Sequence, residues 1–309
     1  MNNKTISKIK TISLILMFLI CVQILLGAWV RLTGSGMSCP DWPLCYGMIL
    51  PLPSKVMALE NIQYTYFQVF LEWIHRANAA FLIGPFSLLL ALIIFFNKKL
   101  ISGSVKLAYV LLFLLFIQGL LGGLTVFKSN IPWSVAIHLV FAFLLFFTVI
   151  NIYLSTFSNY KVLSISKFTK VNIFISGLLV MFTGAAGAFT SKSGASLACK
   201  NWPGCNQSFF PNLNDNFELI HFSHRVLALF FIISIFILIW FLFKKYKEMS
   251  AIYKKAFLLV PATMILQIFV GGLLIYFDVP IWMGIFHQGT GLLLFSLISI
   301  MLYYSKSKQ

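Results

Sequence analysis

The sequence predicts an all-α integral membrane protein: eight transmembrane helices forming two tandem, pseudo-twofold-related four-helix bundles, with N and C termini cytoplasmic. Three observations carry this. The 309 residues are 60% hydrophobic and only 10% charged, with a mean hydropathy of +0.94, far from soluble-domain composition. Eight apolar runs are each long enough to cross a hydrocarbon core of about 30 Å, and helices are the structure that satisfies its own backbone there. The chain also carries one text twice. Glu72-Trp73-Ile74-His75-Arg76 recurs as His221-Phe222-Ser223-His224-Arg225, Gln118 and Gly122-Gly123 as Gln267 and Gly271-Gly272, and His138 as His287, every pair offset by 149 positions.

The spans follow in order. The first, 11–30, lies behind Lys4, Lys8 and Lys10 and ends without a small-x-small site, so it reads as an anchor rather than a cleaved leader. The ten residues before it are too short for a mitochondrial presequence. Runs at 67–96, 107–127 and 133–157 complete the first bundle, residues 1–157. Runs at 171–190, 219–243, 256–276 and 281–304 make the second, residues 158–309. The basic stretch Lys161–Lys170 joins them. An even number of spans per half gives both halves one orientation, so the repeats are parallel about an axis along the membrane normal.

The net charge of +16 is topological. With a cytoplasmic N-terminus, the inner segments hold 16 of the 23 basic residues, from Lys4, Lys8 and Lys10 through Lys161 to Lys306 and Lys308. The outer segments hold Arg31, Lys55, Lys128, Lys192 and Lys200, together with five of the seven acids. This is a positive-inside pattern. It points to a bacterial cytoplasmic membrane with lipid as the surrounding partner, and away from nucleic acid.

Two long outer loops, about 31–66 and 191–218, each hold a C-x5-C pair. Cys39-Pro-Asp-Trp-Pro-Leu-Cys45 recurs as Cys199-Lys-Asn-Trp-Pro-Gly-Cys205, offset by 160. On the oxidising, extracellular face a Trp-Pro turn can bring each pair together, so Cys39–Cys45 and Cys199–Cys205 disulfides are expected. Zinc fits less well on separate loops without a nearby aqueous histidine. A redox role for Cys39–Cys45 stays open, although the spacing is not C-x-x-C. Cys21, inside the first span, reads as a small core residue.

Four of the five histidines fall on the repeat. His75, His138, His224 and His287 sit in the first turns of spans 2, 4, 6 and 8, all in the outer half of the membrane. Intramembrane ionisable groups are costly and usually functional. Two opposed imidazoles per bundle suit axial ligation of a haem iron, whereas zinc or copper wants three or four protein ligands. Glu72 is three residues before His75, on the same helix face. It reads either as the partner of Arg76 or of an imidazole, or as a catalytic carboxylate beside a reacting porphyrin. Its counterpart is His221, so the halves are chemically unequal. Arg31, Arg76 and Arg225 are candidates for pairing porphyrin propionates or for snorkelling to headgroups. Gly122-Gly123 and Gly271-Gly272 permit close helix or porphyrin approach. Trp42, Trp73, Trp133, Trp202 and Trp282 fit an interfacial belt.

On GAWVRLTGSGMSCPDWPLC at 27–45, EWIHRAN at 72–78, IHLVFA at 137–142, ACKNWPGC at 198–205, HFSHRVLAL at 221–229 and FHQGTG at 286–291, the chain resembles the haem A synthase family. The likeness covers nearly its whole length, in the form with paired outer cysteines found in Gram-positive bacteria. The resemblance implies oxidation of the C8 methyl of haem O to a formyl group, with water supplying the oxygen. It implies that His75 and His138 flank substrate haem O with Glu72 assisting, and that His224 and His287 ligate a haem b iron as cofactor. It implies a disulfide at Cys39–Cys45 with a possible part in substrate transfer or electron flow, and a structural one at Cys199–Cys205. The implied partner is the farnesyltransferase that makes haem O. A bis-histidine cytochrome b electron carrier also explains both imidazole pairs, but leaves the unmatched Glu72 without a purpose. A quinone-linked thiol oxidoreductase uses the cysteines and ignores the histidines. A transporter rests on the duplication alone.

Overall fold

The structure, a computed structural model, describes residues 2–60, 62–101, 103–157, 162–206 and 208–305. Lys161, Lys306 and Lys308, assigned above to the inner side, lie outside the described residues. Among the described residues the fold is all-helical. The strand-like pairings there are two isolated bridges, Cys45 with Met48 and Cys205 with Ser208.

Among the described residues, eight helical spans are long and apolar enough to cross a membrane. They are α1 (Asn2–Leu32); α3 (Tyr66–Ala77) continued through a π-helical turn (Asn78–Ile83) into α4 (Gly84–Phe96); α5 (Ser104–Phe127); α6 (Pro132–Ser155); α7 (Lys167–Lys192); α8 (Asn216–Phe243); α9 (Ala251–Tyr276); and α10 (Ile281–Tyr304). A short α2 (Pro53–Val56) lies in the first long loop. The expected runs are all present, and several helices outrun them: α1 begins near Asn2 rather than at 11, and α7 covers 167–192 rather than 171–190. Hydropathy sees the bilayer core, whereas backbone hydrogen bonding continues into the interface wherever a cap supports it. Ser166, Asp215 and Ser250 each accept a first-turn N–H, and Thr65 with Gln68 forms a capping box on α3.

The π-helical turn has a local cause. Pro85 has no N–H to donate and its ring crowds the preceding turn, so the helix widens ahead of it. Asn78, the first residue of that turn, donates to the Leu19 carbonyl and, at 2.8 Å, to Gln23 Oε1 of α1. The widened turn is thereby pinned to α1.

Helices α1, α6, α7 and α10 make the centre. α6 packs on α1, α5, α7 and α10, and α1 packs on α10, so the two halves meet along α6–α7 and α1–α10. One contiguous buried core runs through both halves. Phe143 of α6 meets Phe295 of α10 edge-on at 4.8 Å and lies against Gly184 of α7. Gly284 and Gly289 of α10 admit Leu32 and Leu25 of α1. Small residues that let backbones close in are the usual adhesive between helices in lipid. Large apolar side chains such as Phe96, Phe113, Trp240 and Phe269 point outward, as a lipid-facing surface requires.

Polar side chains also join helices. Asn172 of α7 donates to the Ser234 carbonyl of α8 at 3.0 Å, and the Ser176 and Ser234 hydroxyls are 3.0 Å apart. Asn172→Ala is expected to destabilise the protein by about 1 kcal/mol, the scale of interhelical hydrogen bonds in membranes. Thermal unfolding in detergent should show this as a lowered melting temperature.

Candidate functional site

The two cysteine loops are built to one plan. Cys39–Cys45 and Cys199–Cys205 are disulfides with Cα separations of 4.7 and 4.4 Å, as expected, and each loop has a cis Trp-Pro bond. The arginine following each repeat histidine grips its loop from below. Arg76 donates to the carbonyls of Cys39 at 2.9 Å, Leu44 at 2.5 Å and Asp41. Arg225 donates to those of Cys199 at 2.9 Å, Asn201 at 2.8 Å, Pro203 at 3.2 Å and Gly204. Sequence reasoning offered these guanidiniums to propionates or headgroups; the structure places their terminal nitrogens on loop carbonyls. The loop tryptophans lie over helix glycines, Trp42 against Gly123 of α5 and Trp202 against Gly272 of α9.

Glu72 belongs to the first of these clamps. It is 4% exposed. Oε1 pairs with Arg76 at 2.5 Å, and Oε2 accepts from the Cys39 N–H at 2.8 Å and the Ser38 hydroxyl at 3.0 Å. The expected ion pair between Glu72 and Arg76 is present. Its counterpart His221, also buried, contacts the Ala195 carbonyl through Nδ1 at 3.0 Å.

All four repeat histidines share a feature that sequence reasoning half saw. Each imidazole lies against a glycine of the neighbouring helix: His75 on Gly27, His138 on Gly122, His224 on Gly187 and His287 on Gly271. A Cβ at those glycines would come 3.2, 3.8, 3.1 and 3.1 Å from the ring Cε1. The first glycine of each Gly-Gly pair therefore seats a histidine and the second seats a tryptophan. Gly27 and Gly187 were missed, although they share the 160-residue offset of the cysteine loops.

The rings differ in what else they touch. His224 Nδ1 is 3.0 Å from the Thr183 carbonyl, a contact that sets the ring's orientation. The Gln267 amide nitrogen lies 3.2 Å from His287 Nε2, and Thr290 donates to Gln267 Oε1. In the first half, the Gln23 amide nitrogen lies 3.2 Å from His75 Nε2 and donates to the His75 carbonyl at 3.0 Å. Gln118 donates to the His138 carbonyl at 3.0 Å. Nδ1 of His75, His138 and His287 is buried without a hydrogen-bond partner.

His224 and His287 open onto one cavity of about 380 Å³, walled mainly by apolar groups such as Val180, Phe231, Met264 and Leu294. That volume is within the range of small-molecule and cofactor sites. Two imidazoles from facing helices, an apolar wall and glycines that leave room beside the rings fit a flat, apolar, metal-bearing ligand. Arg31 lies on this second-half cavity although it belongs to α1.

Comparison with known proteins gives the family. The family model described as "Cytochrome oxidase assembly protein" (COX15-CtaA) matches residues 10–299. Among curated relatives, the chain is 29% identical to the "Heme A synthase" of Shewanella oneidensis over 90% of this chain and 91% of that one. It is 27% identical to that of Alkalihalophilus pseudofirmus (95% and 96%) and 28% identical to that of Pelagibacter ubique (92% and 93%).

Removing the Glu72 carboxylate strands the Arg76 guanidinium and the Cys39 N–H in a buried setting. Glu72→Ala is expected to cost about 2–4 kcal/mol, and Glu72→Gln less. Thermal melting in detergent and the rate at which a soluble phosphine reduces Cys39–Cys45 check this; the rate should rise as the loop loosens.

Proposed function

Because the chain belongs to the COX15-CtaA family of cytochrome oxidase assembly proteins, we propose that it makes haem A by oxidising the C8 methyl of haem O to a formyl group. The observation that carries this reading is the duplicated imidazole pair, each ring seated on a glycine, with one pair facing a cofactor-sized cavity. The names of the relatives support the same chemistry. The conversion adds one water to the methyl group and releases four protons and four electrons, so an electron acceptor must lie beyond the substrate.

Residues 158–309 form the cofactor half in this proposal. His224 and His287 would hold the iron of haem b there, and that group supplies one-electron transfer when bound. Thr183 fixes the His224 ring, while Gly187 and Gly271 set the depth of the two imidazoles. Residues 1–157 form the substrate half, with His75 and His138 flanking haem O. The Gln23 and Asn78 amides hold His75 in place. Glu72 lies one turn from His75 with both oxygens engaged, which supports a positioning role: with Arg76 it draws the disulfide loop down over the site and keeps water out. Its negative charge also favours positive charge developing on the substrate in a dry setting. The loops face outward from a bacterial cytoplasmic membrane and both termini face the cytoplasm. The farnesyltransferase that makes haem O is the proposed partner upstream.

Haem extraction tests this directly. Membranes from cells making haem O should yield haem A on chromatography only when this protein is present. Haem b alone, with haem O unconverted, would sink the proposal and leave an electron carrier.

The glycine seats make a second test. Gly187→Ala and Gly271→Ala should weaken haem b binding about tenfold or more by displacing an imidazole, on the scale of changes that disturb ligand orientation. Gly119→Ala, with open space around the new methyl, should bind as the wild type does. Titration of the Soret band in purified protein measures all three.

A further inference from the structure

We infer that Arg31, carried by the first half of the chain, anchors the carboxylate end of the ligand in the second-half cavity. The inference rests on reading that cavity as a haem b site and goes further by making the site depend on both halves. Arg31 is in the last turn of α1, and its side chain reaches the cavity wall beside Leu32 and Gln288. Its side-chain hydrogen bond among the described residues is a long contact of 3.4 Å from Nη2 to the neutral Gln288 amide oxygen. Nε is buried with no partner. The ion pairs among the described residues are Arg76–Glu72 and Lys245–Glu248, so Arg31 has no carboxylate of its own, and no aspartate or glutamate lines the cavity.

A half-buried guanidinium whose Nε is buried and unpartnered, with no anion beside it, is costly in a low dielectric. Arg225 also borders the cavity, but its terminal nitrogens are engaged with four loop carbonyls. Arg31 is the cation whose hydrogen-bonding capacity is left over. A guanidinium matches a carboxylate in a two-pronged geometry that an ammonium cannot reproduce. Ser191 and Ser196, which border both this cavity and the groove leading outward from Arg31, add hydroxyl donors at the same end. The ligand that completes this arrangement is flat and apolar with acid groups at one edge, and haem b carries two propionates placed that way.

The test titrates the full-length protein in detergent with haem b and with haem b dimethyl ester, following the Soret band. Wild type should bind the free acid about tenfold or more tightly than the diester. Arg31→Gln should lose that preference, with its diester affinity unchanged, while Arg31→Lys should keep part of it. The ligand-free Arg31→Gln protein should melt no lower than wild type, because the change removes a half-buried charge that has no anionic partner. An acid-to-ester ratio in Arg31→Gln equal to wild type would overturn the inference and leave the cofactor reading standing. So would a lowered melting temperature with both affinities falling together, the mark of a merely structural role. Wild type that binds neither porphyrin would remove the cofactor reading and this inference with it.

Discussion

Hydrocarbon offers no water to a polar group, so every polar side chain carried into these helices must find its partner inside the protein. Most do. Asn172, Ser176 and Ser234 stitch α7 to α8, and Asn78 ties a widened turn to α1. The exceptions are concentrated. Of six buried side-chain atoms without a hydrogen bond among the described residues, four belong to His75, His138, His287 and Arg31. Places where a structure leaves polar capacity unspent are where function is expected to break the rules of stability. Here they mark the imidazoles of the repeat and the cation beside them.

The duplication preserves seats and changes occupants. Gly27 and Gly187, Gly122 and Gly271, Trp42 and Trp202, Arg76 and Arg225 all do the same job twice. Two of the differences fall beside the first histidine of each half. Gln23 contacts His75 through a side-chain amide, whereas its counterpart Thr183 contacts His224 through a carbonyl. Glu72 ties down a disulfide loop with a carboxylate, whereas His221 touches its loop with a ring nitrogen. A backbone carbonyl is a fixed partner and a glutamine side chain is a movable one. In the proposed reading, that contrast suits a resident ligand in the second half and a transient one in the first.

Much of this was legible in the sequence because its signals are local. Eight apolar runs gave the spans, the 149-residue offset exposed the histidine pairs, and the C-x5-C spacing gave both disulfides. Helix ends ran past the apolar windows because capping, not hydropathy, sets them. The arginine clamps were not legible because a guanidinium near a membrane surface has many possible partners, and only the folded loop supplies the carbonyls. The placement of Arg31 depends on how α1 docks against α10, a long-range arrangement that no local pattern encodes. Gly27 and Gly187 could have been found, since they repeat in step with the cysteines rather than with the histidines.

Helix α1 carries Gly27, the seat of His75, and one turn later Arg31 on the other half's cavity. Leu25 and Leu32 of the same helix are wedged against glycines of α10. α1 thus touches a repeat histidine of one half and the cavity of the other, so a slide or twist of this helix would act on both. If each half holds the guest proposed for it, the two occupancies are thermodynamically linked through this helix: whatever one guest does to the hold on its neighbour, the neighbour does in return, to the same degree.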